Sequence, residues 1–370
     1  MKKTSIAIFL GALIFANCKE GPKDKVPNPT LKPTREIGLA ERYKDYFPMG
    51  VAIYPQALQD SATVQLIKEQ FNSMTPENVM KMGPIHPEEK RYHWEQADMI
   101  ANFARENGLK LRGHTLVWHR QTGDWIFKGE NGGQVGKEVL LQRMKSHITE
   151  VVTRYKDVIY AWDVVNEAIS DEPEEFLRPS PWLEIIGEEY IIKAFQYARE
   201  ADPDAQLFYN DYSAIRPEKR EKILKLLKML REAGAPIDGM GIQGHLSIYE
   251  PTEQELREAL DSYTQLGLEL QVTELDVSVY PKEHSARKPN KEDENDAFTA
   301  QQEEKQIAQY EMIFRVFRDY KNELSGVTFW NISDRYSWLD NFPVPGRKDY
   351  PLLFNSDLKP KKAFYKVTEF

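Results

Sequence analysis

The sequence predicts one (β/α)₈ TIM barrel of the α/β class. From Leu39 onward, short apolar runs typical of strands alternate with longer amphipathic stretches typical of helices. This strict alternation predicts a parallel sheet. The runs number eight, which is the number of strands that closes a parallel sheet into a barrel. With 370 residues, 41% of them hydrophobic, the chain can bury one large core, and barrels of this size fold as a single domain.

The predicted elements follow one another without a second domain or an internal repeat. Pro217 begins a predicted helix at the position where proline is best tolerated, and Gly108 and Gly234 follow two predicted helix ends. An open doubly wound sheet is the alternative, but the first strand is not followed by the glycine-rich turn typical of that fold. The strands are predicted at residues 49–53, 71–75, 110–116, 159–165, 206–210, 239–243, 269–273 and 326–330. The helices are predicted at residues 96–106, 136–155, 188–200, 217–233, 253–266 and 301–320.

The N-terminus has the features of an export signal. Two lysines precede an apolar stretch over residues 6–16, which is too short to span a membrane, so residues 1–17 are predicted to be a signal peptide. Cys18, the only cysteine, indicates lipidation of a bacterial lipoprotein, although Asn17 departs from the small residue usual before that cysteine. A plain secretory signal with a chance cysteine is the alternative. Residues 18–38, rich in proline and lysine, are predicted to be a linker to a catalytic domain at residues 39–370.

The formal net charge of −9 argues against nucleic acid as a partner, because an acidic surface repels phosphate backbones. It does not disfavour a neutral polysaccharide. We expect an exported monomer, either anchored in the cell envelope or secreted, that needs no cofactor. The five-residue spacing of His114 and His119 does not match the helical zinc motif, so no metal site is predicted there.

Polar and aromatic side chains follow most of the predicted strands at their carboxyl ends. In a barrel these ends meet at one rim, where catalytic residues gather. A purely structural rim would carry mainly turn and capping residues, so this set predicts a functional site. The residues are Glu77, Asn78 and Lys81 after the second strand; His114, Trp118 and His119 after the third; Asn166 and Glu167 after the fourth; Gln243 and His245 after the sixth; Glu274 and Asp276 after the seventh; and Trp330, Asp334 and Trp338 after the eighth.

Two glutamates at nearly opposite strands suggest glycoside hydrolysis. That reaction needs one carboxylic acid to protonate the leaving oxygen and one carboxylate to attack the sugar or to activate water. Glu167 has an alternative interpretation as a cap of the next helix. Glu274 lies among strand-forming residues and points toward the barrel mouth, where an unpaired charge is costly unless it has a role.

At these residues the sequence resembles glycoside hydrolase family 10, whose members are mostly endo-β-1,4-xylanases. The resemblance extends over residues 39–370, and several motifs match in order at the expected strand ends. They lie at residues 75–81, 112–119, 162–168, 241–245 and 273–277.

The resemblance implies xylan and xylo-oligosaccharides as substrates, hydrolysed with retention of configuration. It implies Glu167 as the acid/base and Glu274 as the nucleophile, with His245 bridging Glu274 and Asp276. Glu77, Asn78 and Lys81 would bind the −2 sugar and part of the −1 sugar. The −1 sugar would be surrounded by His114, Trp118, Asn166, Gln243, Trp330 and Trp338.

Two positions depart from the family pattern: Asn331 replaces a glycine after Trp330, and Asn355 replaces an aspartate. Two rival functions remain open at this level. One is a retaining hydrolase of cellulose or mixed-linkage glucan, and the other is a sugar-binding protein without catalysis.

Overall fold

The described part of the chain forms one closed parallel barrel. The structure, a computed structural model, describes Met1 and residues 37–283, 285–294 and 297–370, without the side chains of residues 292 and 294. Residues 37–370 form one compact unit. The predicted signal peptide and Cys18, except for Met1, and the predicted linker up to residue 36 lie outside the described residues.

Eight long strands make the barrel, and every pairing between them is parallel. The order runs from β6 through β1 to β9 and β8, and a pairing of β6 with β8 closes the ring. The predicted (β/α)₈ barrel is therefore confirmed. The short strand β7 extends the sheet beside the second half of β8. The strands are β1 (Met49–Ile53), β2 (Ser73–Pro76), β3 (Lys110–Val117), β4 (Ile159–Asn166), β5 (Gln206–Asp211), β6 (Gly239–Ile242), β7 (His245–Ser247), β8 (Glu269–Ser278) and β9 (Leu324–Phe329).

Helices follow the strands and cover the outside of the barrel, and several begin at a side-chain cap. Thr252 and Thr299 each open a helix with a capping box, which satisfies backbone N–H groups that the first helical turn leaves free. Gly108 ends another helix in the left-handed conformation, as predicted. The helices are α1 (Leu39–Arg42), α2 (Ser61–Gln70), α3 (Met82–Ile85), α4 (Glu95–Asn107), α5 (Lys137–Tyr155), α6 (Pro181–Ile186), α7 (Glu189–Ala201), α8 (Pro217–Glu232), α9 (Glu253–Thr264), α10 (Ala300–Asp319) and α11 (Lys362–Thr368). Among the described residues, no helix is long and apolar enough to cross a membrane.

The predicted elements did not include α2 or the short helices α1, α3, α6 and α11, and the predicted seventh strand was too short. The buried face of α2 includes Thr63 and Gln70 beside Ile67, so polar side chains interrupt its apolar face. The predicted strand at 269–273 continues to Ser278 because β7 pairs with its second half, a contact between segments distant in the chain.

The barrel interior carries a buried ion pair below the rim. Arg112 on β3 donates to Asp163 on β4 at 2.5 Å, and both side chains are only 1% exposed. Gly113 leaves room for the indole of Trp162, since a Cβ there would lie 2.1 Å from that ring. The charged pair is stabilised because the Arg112 guanidinium also donates to Gln271 at 2.7 Å.

Candidate active site

A cleft of about 420 Å³ opens at the carboxyl-terminal rim of the barrel. All the residues proposed for the site from the sequence line this cleft, with the exception of Glu77, Asn78 and Asp334. Asp334 is buried away from it and pairs with Lys361 at 3.0 Å. Glu167 follows β4 and Glu274 lies within β8, on different sides of the barrel, and both face this one space.

Hydrogen bonds hold both carboxylate oxygens of Glu274. Asn210 Nδ2 donates to Oε1 at 2.9 Å, and His245 Nε2 lies 3.1 Å from Oε2. The other ring nitrogen of His245 lies 2.8 Å from Asp276. Trp338 Nε1 also donates to that aspartate, at 2.9 Å. The carboxylate of Glu274 is therefore fixed in position while one edge of it lines the cleft.

The electrostatic surroundings keep Glu274 ionised. Burial disfavours the charged form, but the hydrogen bond from His245 and the nearby imidazole of His114 outweigh it, and they hold the pKa of Glu274 below its usual range. Burial alone would lower the pKa of His245. The carboxylates of Asp276 and Glu274 instead raise the pKa of His245 to about 9, so this imidazole is charged at neutral pH.

Glu167 is held differently. Trp118 Nε1 donates to its Oε2 at 2.8 Å, and Gln243 Nε2 donates to its Oε1 at 2.9 Å. Its backbone adopts the left-handed conformation with φ of 56°. Helix α6, the next one in the chain, is capped by the side chain of Ser180. Glu167 is therefore not the helix cap that its position in the sequence allowed.

Asn166 links the two halves of the site. Its Oδ1 accepts from Asn210 Nδ2 at 3.0 Å and from Gln243 Nε2 at 3.3 Å. Because Asn210 also donates to Glu274 and Gln243 also donates to Glu167, one hydrogen-bonded chain connects the two glutamates. Such a network fixes the two carboxyl groups relative to each other.

Lys81 reaches the cleft at the end of β2, with Asn78 and Glu77 beside it. Lys81 Nζ donates to Asn78 Oδ1 at 2.9 Å, and Asn78 Nδ2 donates to Glu77 at 3.2 Å. Burial lowers the pKa of Lys81, although three nearby carboxylates oppose the shift. Burial raises the pKa of Glu77, and the positive charge of Lys81 opposes this rise. Glu77 and Asn78 remain half-exposed next to the cleft, where they can meet a chain that extends past Lys81.

His114 and Trp330 form part of the cleft floor and wall. His114 Nδ1 lies 2.9 Å from the buried carboxylate of Asp163, and its ring meets the edge of Trp330 with centroids 5.3 Å apart. Trp338 stacks on Phe342 at 5.6 Å, so the same wall continues as an apolar surface.

The two departures from the family pattern are accommodated without reaching the two glutamates. Asn331 adopts φ of 135°, a region that favours glycine, and its side chain donates to the carbonyl of Tyr336 at 2.9 Å. Asn355 Oδ1 accepts from the backbone of Asp357 and Lys359 at 2.9 and 3.0 Å, which an aspartate could do equally well.

Several residues that the fold brings to the site were not predicted from the sequence. Asn210 lies near the end of β5, a strand whose rim residues were not considered, although Asn210-Asp211-Tyr212 is as polar as the other strand ends. That polar run was a usable signal. The remaining residues come from loops whose path depends on the tertiary fold, and so no local pattern indicates them. These lining residues include Arg120, Asp171, Arg178, Lys282, Phe342 and Arg347.

A parallel barrel that presents two differently held carboxyl groups to one cleft has the architecture of a barrel glycoside hydrolase. Residues 38–370 match the model of "Glycosyl hydrolase family 10". The chain belongs to this family and is a glycoside hydrolase.

Relatives and solved structures agree over nearly the whole chain. "Endo-1,4-beta-xylanase A" of Caldicellulosiruptor saccharolyticus is 49% identical over 337 residues, which is 90% of this chain and 96% of that protein. "Endo-1,4-beta-xylanase B" of Paenibacillus barcinonensis is 45% identical and spans 89% and 97%. Among solved structures, xylanase XynB of the latter organism, in complex with a conduramine derivative, gives a TM-score of 0.86 at 45% identity, with coverage of 90% and 99%. The endo-1,4-beta-xylanase of Caldicellulosiruptor owensensis gives 0.85 at 46% identity, with coverage of 90% and 99%.

Proposed function

We propose that this chain is a retaining endo-β-1,4-xylanase that hydrolyses internal bonds of xylan and xylo-oligosaccharides. The observation that carries the proposal is the pair of glutamates in one cleft, of which Glu274 is held ionised by His245 while Glu167 is bound by the neutral donors Trp118 and Gln243. The names of the similar proteins support the choice of xylan as substrate.

In the first step, Glu274 attacks the anomeric carbon of the −1 sugar. A bond forms between that carbon and a carboxylate oxygen of Glu274, and the bond to the leaving sugar's oxygen breaks. Glu167 gives its proton to the departing oxygen. Because Asn210 and His245 already hold the attacking carboxylate, little reorganisation accompanies the attack.

In the second step, water replaces Glu274. Once glycosylated, Glu274 no longer carries a negative charge, so Glu167 can remain deprotonated and accept a proton from the attacking water. The bond between the sugar and Glu274 then breaks, and the carboxylate is restored. Two displacements at the same carbon retain its configuration.

The remaining cleft residues bind the sugars. His114, Trp118, Asn166, Gln243, Trp330 and Trp338 surround the −1 sugar, and Glu77, Asn78 and Lys81 bind the sugar beyond it. The indole rings supply flat apolar faces for sugar rings, and the amides, the imidazole and the ammonium group supply hydrogen bonds to hydroxyls.

Product analysis on different polymers tests this function. Purified protein incubated with xylan should release a ladder of xylo-oligosaccharides, and it should release far less reducing sugar from carboxymethylcellulose. Equal or greater release from the cellulose derivative would instead indicate a glucanase, and binding without release would indicate a sugar-binding protein.

The proposal includes export. Residues 1–17 act as the signal peptide, Cys18 carries a lipid, and residues 18–38 tether a catalytic domain at residues 39–370 to the cell envelope. The proposal takes the enzyme to act as a monomer.

A further inference from the structure

The backbone that carries Glu167 is in a conformation that needs support. With φ of 56°, Glu167 occupies the left-handed region, which is unfavourable for a non-glycine residue unless the surroundings hold it. If Glu167 is the acid/base, the direction of its carboxyl group depends on what fixes this residue and the turn after it. We call residues 167–171 the acid/base turn.

Lys219 holds the acid/base turn from outside the cleft. It lies in the first turn of α8 and is only 6% exposed, and it does not line the cleft. Its Nζ donates to the carbonyl of Ile169 at 3.0 Å and to Asp171 Oδ1 at 2.8 Å. Both acceptors belong to the acid/base turn, within four residues of Glu167.

Arg178 completes the same support on the cleft side. Its Nε donates to the carbonyl of Glu167 at 3.1 Å, and its Nη2 donates to Asp171 at 2.9 Å. Asp171 therefore binds two cations, Lys219 and Arg178. Lys219 holds the Asp171 carboxylate in the position in which it accepts from Arg178. Loss of Lys219 loosens both attachments of the turn.

A buried carboxylate beneath the turn explains why a cation is placed there. Asp211 on β5 is fully buried, and its Oδ1 lies 3.4 Å from Lys219 Nζ. Burial raises the pKa of Asp211 to about 6, and Lys219 opposes that shift. Lys219 thus contacts a buried carboxylate of strand β5 on one side and the carboxylate of the acid/base turn on the other.

We propose that Lys219 is a positioning residue for proton transfer by Glu167, an assignment that rests on the function proposed above. It contacts no sugar and acts by holding Ile169 and Asp171. Its loss should impair donation of the proton to the leaving oxygen and should leave the attack by Glu274 intact.

Two aryl xylobiosides that differ only in the leaving group test this role. Phenyl β-xylobioside needs a proton on its leaving oxygen, whereas 2,4-dinitrophenyl β-xylobioside departs as a stable anion without one. In Lys219→Met, kcat/KM for the phenyl substrate should fall at least about tenfold, a part of the roughly 10²–10⁴-fold that general acid catalysis supplies. For the dinitrophenyl substrate it should fall less than about threefold, and Lys219→Arg should restore much of the loss.

A neighbouring lysine provides the matched control. Lys222 lies one turn further along α8. It donates to the carbonyls of Glu172 and Glu175 at 2.6 Å each, beyond the acid/base turn, and reaches the turn only through the carbonyl of Ser170, at 3.4 Å. Lys222→Met should therefore show a much smaller dependence on the leaving group than Lys219→Met. If Lys219→Met is unstable, the double variant Lys219→Met, Asp211→Asn removes the buried charge left behind and should keep the leaving-group dependence.

Glu167→Gln, measured on the same two substrates, separates a failure of the role of Lys219 from a failure of the acid/base assignment of Glu167. Suppose that Glu167→Gln shows the leaving-group dependence. If Lys219→Met then slows the two substrates equally, or slows neither of them, the role of Lys219 is overturned. If Glu167→Gln itself shows no dependence, the acid/base assignment of the proposed function is wrong.

Discussion

Carboxyl groups of the same chemical kind differ at this site because their neighbours differ. The pKa of Glu274 lies below its usual range because His245 donates a hydrogen bond to it, whereas burial raises the pKa of Glu77. A buried carboxylate is stable only where such donors offset its lost hydration. The charge needed for attack on a sugar is therefore a property of the hydrogen bonds around Glu274.

Glu274→Ala should abolish turnover and leave the fold intact. Removing the group that forms the covalent bond should lower kcat by about 10⁴-fold or more. The residue lies at the rim, so thermal unfolding should change little. Steady-state hydrolysis of xylan together with a melting curve checks both expectations, and a variant with near-wild-type hydrolysis would remove Glu274 from the role of nucleophile.

Activity should decline on the alkaline side as His245 loses its proton. A neutral imidazole has only one N–H, so it can no longer donate to Glu274 and Asp276 at once. Since its folded pKa is raised to about 9, kcat/KM for 2,4-dinitrophenyl β-xylobioside, which needs no proton from Glu167, should fall as pH rises through that value. In His245→Asn this alkaline limb should be lost or displaced in a pH profile, and an unchanged limb would assign it to another group.

The raised pKa of His245 also predicts how the free energy of unfolding changes with pH. The folded-state pKa of His245 lies above the unfolded value near 6.5, so its contribution to the free energy of unfolding is complete below about pH 6.5. That contribution is lost as pH rises through about 9.

At the residue scale, the sequence predicted those side chains whose position follows from a strand end. It could not predict Lys219, whose contact with the acid/base turn depends on where the tertiary fold places the start of α8 relative to that turn. The role of Asn210 depends on Gly241, because a Cβ at that position would lie 2.3 Å from the Asn210 side-chain oxygen.

A pair of histidines joins α5 to the segment before α4. His86 Nδ1 lies 3.1 Å from His147 Nδ1, and His86 Nε2 lies 3.2 Å from the carbonyl of Glu89. Since a carbonyl only accepts, His86 carries its proton on Nε2, and His147 must donate from Nδ1. Both rings are therefore neutral, and the buried Nε2 of His147 has no hydrogen-bond partner among the described residues.

This pair should make the protein sensitive to acid. Burial lowers the pKa of both histidines, that of His147 to about 3. Below the unfolded value near 6.5 the unfolded chain binds protons that the folded chain does not, so stability falls as pH drops from about 6.5 toward 3. Melting temperatures between pH 7 and pH 5 should fall in the wild type and fall less in His147→Leu; equal slopes would contradict this account.

At the element scale, the sequence predicted the long helices and most strands because their apolar periodicity is strong. Helix α2 and strand β7 were missed for physical reasons: α2 buries polar residues, and β7 is defined by its pairing with a distant segment. The cap of α2 at Asp60 is a local signal, whereas the pairing of β7 cannot be read from its own three residues.

At the scale of the whole molecule, the barrel brings distant parts of the chain to one rim. Glu167 and Glu274 are far apart in sequence, yet closure of the sheet through β6 and β8 places them around one cleft. The alternation of elements was enough to predict this closure. The exact hydrogen-bond partners at the rim were not predictable, because they depend on the loops.

The proposed localisation depends on the N-terminal residues and can be tested separately from catalysis. If Cys18 is lipidated, cells that express the full chain should incorporate radiolabelled palmitate into the protein, and Cys18→Ala should abolish the label. The variant should retain its specific activity on xylan, since residue 18 precedes the barrel. Equal labelling of both forms, or of neither, would favour a plain secretory signal.

The covalent intermediate on Glu274 can be observed directly. A 2-deoxy-2-fluoro-β-xylobioside with a dinitrophenyl leaving group should react once and then stall, because fluorine slows both steps while the good leaving group preserves the first. Mass spectrometry of the digested protein should locate the sugar on the peptide that contains Glu274, and on Glu274 itself. A label on another residue, or no adduct together with a product of inverted configuration, would contradict the account.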